Sequence, residues 1–396
     1  MITILLLVLI YFAFISLGLP DALLGVAWPV IREQWNLPLD YAGLIAIPIS
    51  VFTILSSLFS GHVIRWLGTG KVVFISCLMT GAALIGFSNA ASHYWLMVLG
   101  IPLGMGAGSV DTALNNYVAL HFKAYHMNWL HAFWGIGATT GPLIMSFSLS
   151  QQGSWRGGYA IVGSIQLSLA LLFILFYPLW SKHRSQPGFN HAVESERTEH
   201  ATKLRMISIL KIKGILNAIQ TFMFYVTAEM AVGLWGSTFL VEVKGISPET
   251  AASWIALYYG GITAGRILSG FVSFKLTNTQ MIRLGIGISL TSVFLLAIPL
   301  PEVLILPFLL LTGLGFAPVF PAMVHETPKR FGSRISQTVI GYQMGFGYLG
   351  SAIMAPLIGV ILRNVAVELF PFLVLICIII VLFATERLNR LARVRV

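Results

Sequence analysis

Apolar runs of about 20 residues recur almost from end to end of this 396-residue chain, each long enough to cross a bilayer as a helix. They predict twelve helices, near 3–31, 41–65, 71–90, 94–120, 128–150, 158–180, 213–241, 250–273, 281–299, 303–324, 335–362 and 366–384. No run alternates apolar and polar residues with period two, and backbone groups in hydrocarbon must pair internally, so these spans are expected as helices and not as a barrel. The long polar stretch 181–212 mixes charges with Pro and Gly and suits a cytoplasmic linker between an N-terminal bundle, 1–180, and a C-terminal bundle, 213–396. The fold class that follows is an all-α integral membrane protein with twelve transmembrane helices in two six-helix bundles.

Composition agrees. With 57% hydrophobic residues, 10% charged residues and a mean hydropathy of +0.86, the chain carries more apolar surface than a soluble core buries. The formal charge of +10 raises the question of a nucleic-acid partner, and topology answers it. With both termini cytoplasmic, the inside segments hold 19 of the 24 Lys and Arg, the outside loops hold Arg32, Arg156, Lys244 and Arg363, and Arg266 lies within a span. Anionic lipid headgroups therefore account for the basic balance without nucleic acid, and a multi-pass protein of the cell inner membrane is expected. The first apolar run lacks the basic region and cleavage site of a secretory signal and reads as a retained helix. Cys77 and Cys377 lie in apolar runs of opposite halves and read as inert packing residues.

A shift of 209 residues lays Ser60-Gly61 on Ser269-Gly270, Gly104 and Gly106 on Gly313 and Gly315, Asp40 on Glu249, and Gly141 on Gly350. Small residues recurring at matching depths let helix backbones approach, so two parallel, pseudo-symmetric halves are expected. On this architecture the whole chain resembles the major facilitator superfamily. The segment GHVIRWLGTGK resembles the superfamily's loop between helices 2 and 3: Gly61 and Gly68 are in place and Lys71 ends it, while Arg65 stands where an aspartate is usual and Trp66 where an arginine is. GAGSVDTALNNYV, NWLHAFWGIGATTGP and GLGFAPVFPAMVHETPKR resemble the fucose-permease branch, the sugar and proton symporters. That resemblance implies an acidic residue in helix 1 and another in helix 4, positions held here by Asp21 and Asp111.

At 1.5 Å per residue, Asp21 lies roughly 27 Å along the first helix and Asp111 roughly 26 Å along the oppositely directed fourth, both near mid-depth. A carboxylate there costs several kcal/mol unless it meets water, finds a partner or stays protonated, so both are candidate proton carriers; the alternative is a neutral acid bonded between helices. Glu229 lies within one residue of the repeat equivalent of Asp21 and becomes the third candidate. Arg266 either pairs with Glu229 or snorkels to the cytoplasmic end, and its GRILSG segment resembles a structural element common in the superfamily. Glu326 and Arg330, with His325 and Lys329, cluster where helix 10 meets the cytoplasm and read as gate residues.

Sugar-like solutes are held by a few fixed polar groups together with aromatic faces. Asn115 lies one turn from Asp111 on the same face, and His131 and Trp134 share a face of helix 5, where the resembling symporters often carry amides. Trp235 with Tyr225 in helix 7, and Tyr342 with Gln343 in helix 11, are further candidates, with packing as the alternative for each. Phosphate-loop, zinc-ligand and nucleophile-elbow spacings are absent from the sequence, so neither a cofactor nor an enzymatic activity is expected. The reading is a monomeric secondary transporter, a proton symporter of a sugar or similar small polar solute working by alternating access. Sodium in place of protons stays open, and so does proton-driven export of a drug or metabolite.

Overall fold

The computed structural model describes residues 2–122, 124–178, 180 and 210–393. All regular structure among them is helical, and it forms the twelve expected spans. The expected linker 181–212 lies, apart from residues 210–212, outside the described residues.

The first span is divided into α1 (Ile2–Gly18) and α2 (Leu23–Trp35), followed by α3 (Tyr41–Leu67), α4 (Thr69–Ser88), α5 (His93–His121), α6 (Ala124–Gln152) and α7 (Trp155–Leu175). The second half runs through α8 (Ile215–Glu242), α9 (Pro248–Val272), α10 (Asn278–Ala297), α11 (Glu302–Phe316) and α12 (Val319–Phe331). It ends with α13 (Ser333–Leu349), a π-helical turn at Gly350–Met354, α14 (Ala355–Asn364) and α15 (Phe370–Arg393).

Three expected boundaries move, each for a physical reason. The continuous helix expected over 3–31 is broken at residues 19–22, where Pro20 brings no amide hydrogen and its ring conflicts with the carbonyl four residues back. Pro318 likewise separates α11 from α12 inside the helix expected over 303–324. The last helix runs to Arg393, well beyond the expected 384, because its polar end is tied to neighbouring helices: Glu386 receives Arg283 of α10 at 2.6 and 2.7 Å, and Asn389 accepts from Arg330 of α12 at 2.7 Å.

The repeat appears as contact geometry. A Cβ built on Gly104 of α5 would meet the carbonyl of Ile49 and the amide of Thr53 in α3; one on Gly313 of α11 would meet the carbonyl of Tyr258 and the amide of Ile262 in α9. Gly106 meets Ser76 and Thr80 of α4, and Gly315 meets Gly285 and Ser289 of α10. Each partner is displaced by the same 209 residues as the glycine it touches. Helices in lipid gain from close packing and little from the hydrophobic effect, so small residues at crossings hold each half together.

Ten spans are long and apolar enough to cross a membrane by length and composition; α6 and α9 are more polar. These two pack on each other across the halves, with Gly135 against Thr263 and the Ser146 hydroxyl donating to the Glu249 carbonyl at 2.7 Å. Burial against each other spares their polar residues the lipid.

Gly104→Leu and Gly313→Leu are each expected to separate a helix pair and lower the thermal midpoint of the purified protein by about 5 °C or more, as a core overpacking of a few kcal/mol does. Gly287→Ala, where a Cβ meets open space, is the control expected to leave the midpoint unchanged.

Candidate functional site

A cavity of about 380 Å³ lies between the halves. The first half contributes Asp21, Asp111, His131, Trp134 and Tyr159, and the second contributes Glu229, Tyr259, Arg266, Phe320 and Tyr348. Five aromatic or aliphatic side chains, Phe14, Phe87, Phe222, Met230 and Met344, complete much of the wall.

Asp21 stands in the break between α1 and α2, where the chain leaves helical geometry and aims the carboxylate at the cavity. Its Oδ2 accepts the indole N–H of Trp134 at 2.7 Å. The same indole lies beneath the guanidinium of Arg266, 4.7 Å from its centroid, and meets Tyr259 edge-on at 6.4 Å. Arg266 in turn stands 3.7 Å from Glu229. An acid of the first half is thereby joined through one aromatic ring to an ion pair of the second half.

Asp111 is held separately. Asn115 donates to its Oδ1 at 2.8 Å, and Tyr348, from the opposite half, approaches Oδ2 at 3.4 Å. His131 lines the cavity with its ring edge-on to Phe14 at 5.9 Å.

Of the residues expected at the site, Asp21, Asp111, Glu229, His131 and Trp134 line one cavity, and Asn115 bonds to Asp111 without lining it. Arg266 faces the same cavity and does not snorkel to the cytoplasmic end. Three proposed binding residues lie elsewhere. Trp235 is fully buried, with its indole N–H donating to the Ala355 carbonyl at 2.8 Å, so it packs α8 against α14. Gln343 is buried and accepts from Thr327 at 3.0 Å, tying α13 to α12. Tyr342 packs with Ile215, Ile219 and Val339 in a satellite cluster. Tyr225 is buried too, its hydroxyl donating to the Phe316 carbonyl at 3.0 Å.

The expected gate residues divide. Gly68 joins α3 to α4 with φ of +79°, a conformation that disfavours any side chain, while Gly61 and Lys71 are exposed. Glu326 receives Asn278 at 2.8 Å and Lys329 at 3.3 Å, with Arg330 at 3.9 Å. With the Arg330–Asn389 bond this network links α10, α12 and α15 of one half, and does not bridge the two.

Both ion pairs that do bridge the halves, among the described residues, lie at the opposite end: Arg32 of α2 with Glu242 of α8, and Arg363 of α14 with Asp40 at 3.1 Å. Gly25 against Gly233 and Gly43 against Pro356 close the same end. In the topology expected from the charge asymmetry, this is the outer end.

The chain matches the family described as Major Facilitator Superfamily over residues 10–355. It therefore belongs to that superfamily and is a multi-pass membrane transporter. It is 25% identical over 366 residues to the cis,cis-muconate transport protein of Acinetobacter baylyi, covering 88% of this chain and 86% of that one. It is 22% identical over 320 residues to the glucose/mannose transporter GlcP of Bacillus subtilis, covering 78% and 77%. Among solved structures, the inward open conformation of the xylose transporter XylE from E. coli shares the fold with a TM-score of 0.74 at 12% identity, over 98% of this chain and 99% of that one.

Tyr159 lines the cavity, and its buried hydroxyl has no hydrogen-bond partner among the described residues. An unpaired buried hydroxyl costs about 1–3 kcal/mol, so Tyr159→Phe is expected to raise the thermal midpoint of the substrate-free protein by a few degrees.

Proposed function

We propose that the protein is a proton-coupled symporter of a sugar or similar small polar solute, working by alternating access of the bundles 1–180 and 213–396 in the cell inner membrane with both termini cytoplasmic. The observation that carries this reading is Asp21: a carboxylate at mid-membrane, freed from regular helix by the Pro20 break and facing a cavity shared with Asp111 and Glu229. A group so placed can exchange a proton with whichever side the cavity faces. Arg266 and Trp134 carry the change in charge to the second half. The closed end is the outer one, so this conformation is inward-facing, and the Arg32–Glu242 and Arg363–Asp40 pairs are its outer latch.

The cavity sets three acids against one guanidinium that Glu229 already engages. A neutral polar solute meets less electrostatic opposition there than an acidic one. Similarity to the GlcP sugar transporter supports the sugar reading, and the muconate transport protein shows a related chain serving a dicarboxylate. The aromatic and methionine lining favours a second reading, an exporter of a more apolar compound by proton antiport.

Proteoliposome uptake of labelled D-glucose, D-glucosamine and D-glucuronate, with and without an inward proton gradient, tests the proposal. Accumulation of a neutral or basic sugar only under the gradient is expected, falling about tenfold in Asp21→Asn while counterflow exchange persists. Proton-driven movement of apolar compounds in the outward direction alone would replace symport with the exporter reading. The latch is tested by an impermeant thiol reagent applied from outside to a Ser50→Cys variant: adding Arg32→Gln and Arg363→Gln is expected to raise labelling about fivefold, the effect of about 1 kcal/mol.

A further inference from the structure

Pro20 leaves the Ser16 carbonyl, its partner four residues back, without a helical donor inside the membrane. The side-chain amide of Gln166, on α7, donates to that carbonyl. Gln166 is 2% exposed, and the Thr80 hydroxyl of α4 lies 3.4 Å from its Oε1.

The second half supplies an internal control. Shifted by 209 residues, Pro20 falls on Glu229, which lies inside the uninterrupted α8, and Gln166 falls on Leu375 of α15, an apolar residue. The amide is present in the half whose first helix is broken and missing from the half whose first helix is whole.

We propose that Gln166 is a positioning residue for Asp21, holding the first span in its broken form by taking the bond that Pro20 cannot make. Asp21 follows Pro20 directly, so the geometry of the break fixes where the carboxylate meets Trp134. Its importance for transport rests on the reading of Asp21 as the coupling acid; the bond itself does not.

The experiment is a double-variant cycle on the full-length protein in detergent. Gln166→Leu is expected to lower the thermal midpoint by about 3–8 °C, because it leaves the Ser16 carbonyl unpaired. Pro20→Ala restores an amide hydrogen at position 20, and in that background Gln166→Leu is expected to cost less than half as much. Gln166→Asn, which keeps the amide but is too short to reach, shows the same pattern and serves where the leucine variant does not fold. In an Asp21→Cys background, Gln166→Leu is further expected to slow labelling of the position-21 thiol by a small water-soluble reagent severalfold, read above the labelling of the chain without that cysteine.

An equal cost of Gln166→Leu with and without Pro20, or an unchanged labelling rate, overturns the proposal and makes Gln166 a packing residue. Neither result touches the uptake of Asp21→Asn, so failure of the coupling reading and failure of the positioning role are seen separately.

Discussion

A peptide group in hydrocarbon has no water to turn to, and this constraint governs where the chain can depart from a helix. Several prolines comply without a break: Pro29, Pro48, Pro102 and Pro142 sit inside continuous helices. Pro20 differs in having Gln166 beside it to pair the carbonyl it strands. A break costs several kcal/mol if its backbone groups stay unpaired, and far less once a side chain replaces the lost bond. Asp21 owes its position to that exchange. An aspartate on an unbroken helix would be confined to the direction its place in the turn dictates, whereas residues 19–22 are free to present the carboxylate to Trp134.

The two halves repeat their packing at the Gly104, Gly106, Gly313 and Gly315 crossings and differ in their chemistry. Glycines at equivalent crossings touch equivalent carbonyls, which fixes how helices pair within each half. The cavity residues do not repeat. Asp21 and Glu229 line the same cavity, yet one sits in a break and the other in a whole helix, one bonded to an indole and the other 3.7 Å from a guanidinium. A repeated scaffold thus carries unequal side chains at its centre.

The spans, the repeat and the acids at mid-depth could be read from the sequence because each depends on local pattern: run length, residue spacing and distance from a helix end. Helix rotation could not. Trp235, Gln343 and Tyr342 lie on helices that are apolar on most faces, where nothing local tells a cavity face from a packing face, and all three turned away from the cavity. The ion pairs between the halves were hidden for another reason. Arg32 and Glu242 stand 210 residues apart and Arg363 and Asp40 stand 323 apart, so their pairing exists only in the folded bundle. The sixth helix could be placed by its apolarity, but Gln166 reads there as one polar residue among many until Ser16 is seen against it.

Closure of the end that carries these pairs is correspondingly light. Arg32 and Glu242 keep 32% and 29% of their side-chain surface exposed, and Arg363 keeps 47%. Ion pairs so open to solvent are worth about 0–1 kcal/mol each, and the glycine contacts beside them add packing that is lost as soon as the halves part. A transporter needs two states within a few kcal/mol of each other, or it would rest in one and never return. Strong, dry, apolar closure would defeat that requirement. Weak surface pairs over small-residue contacts meet it.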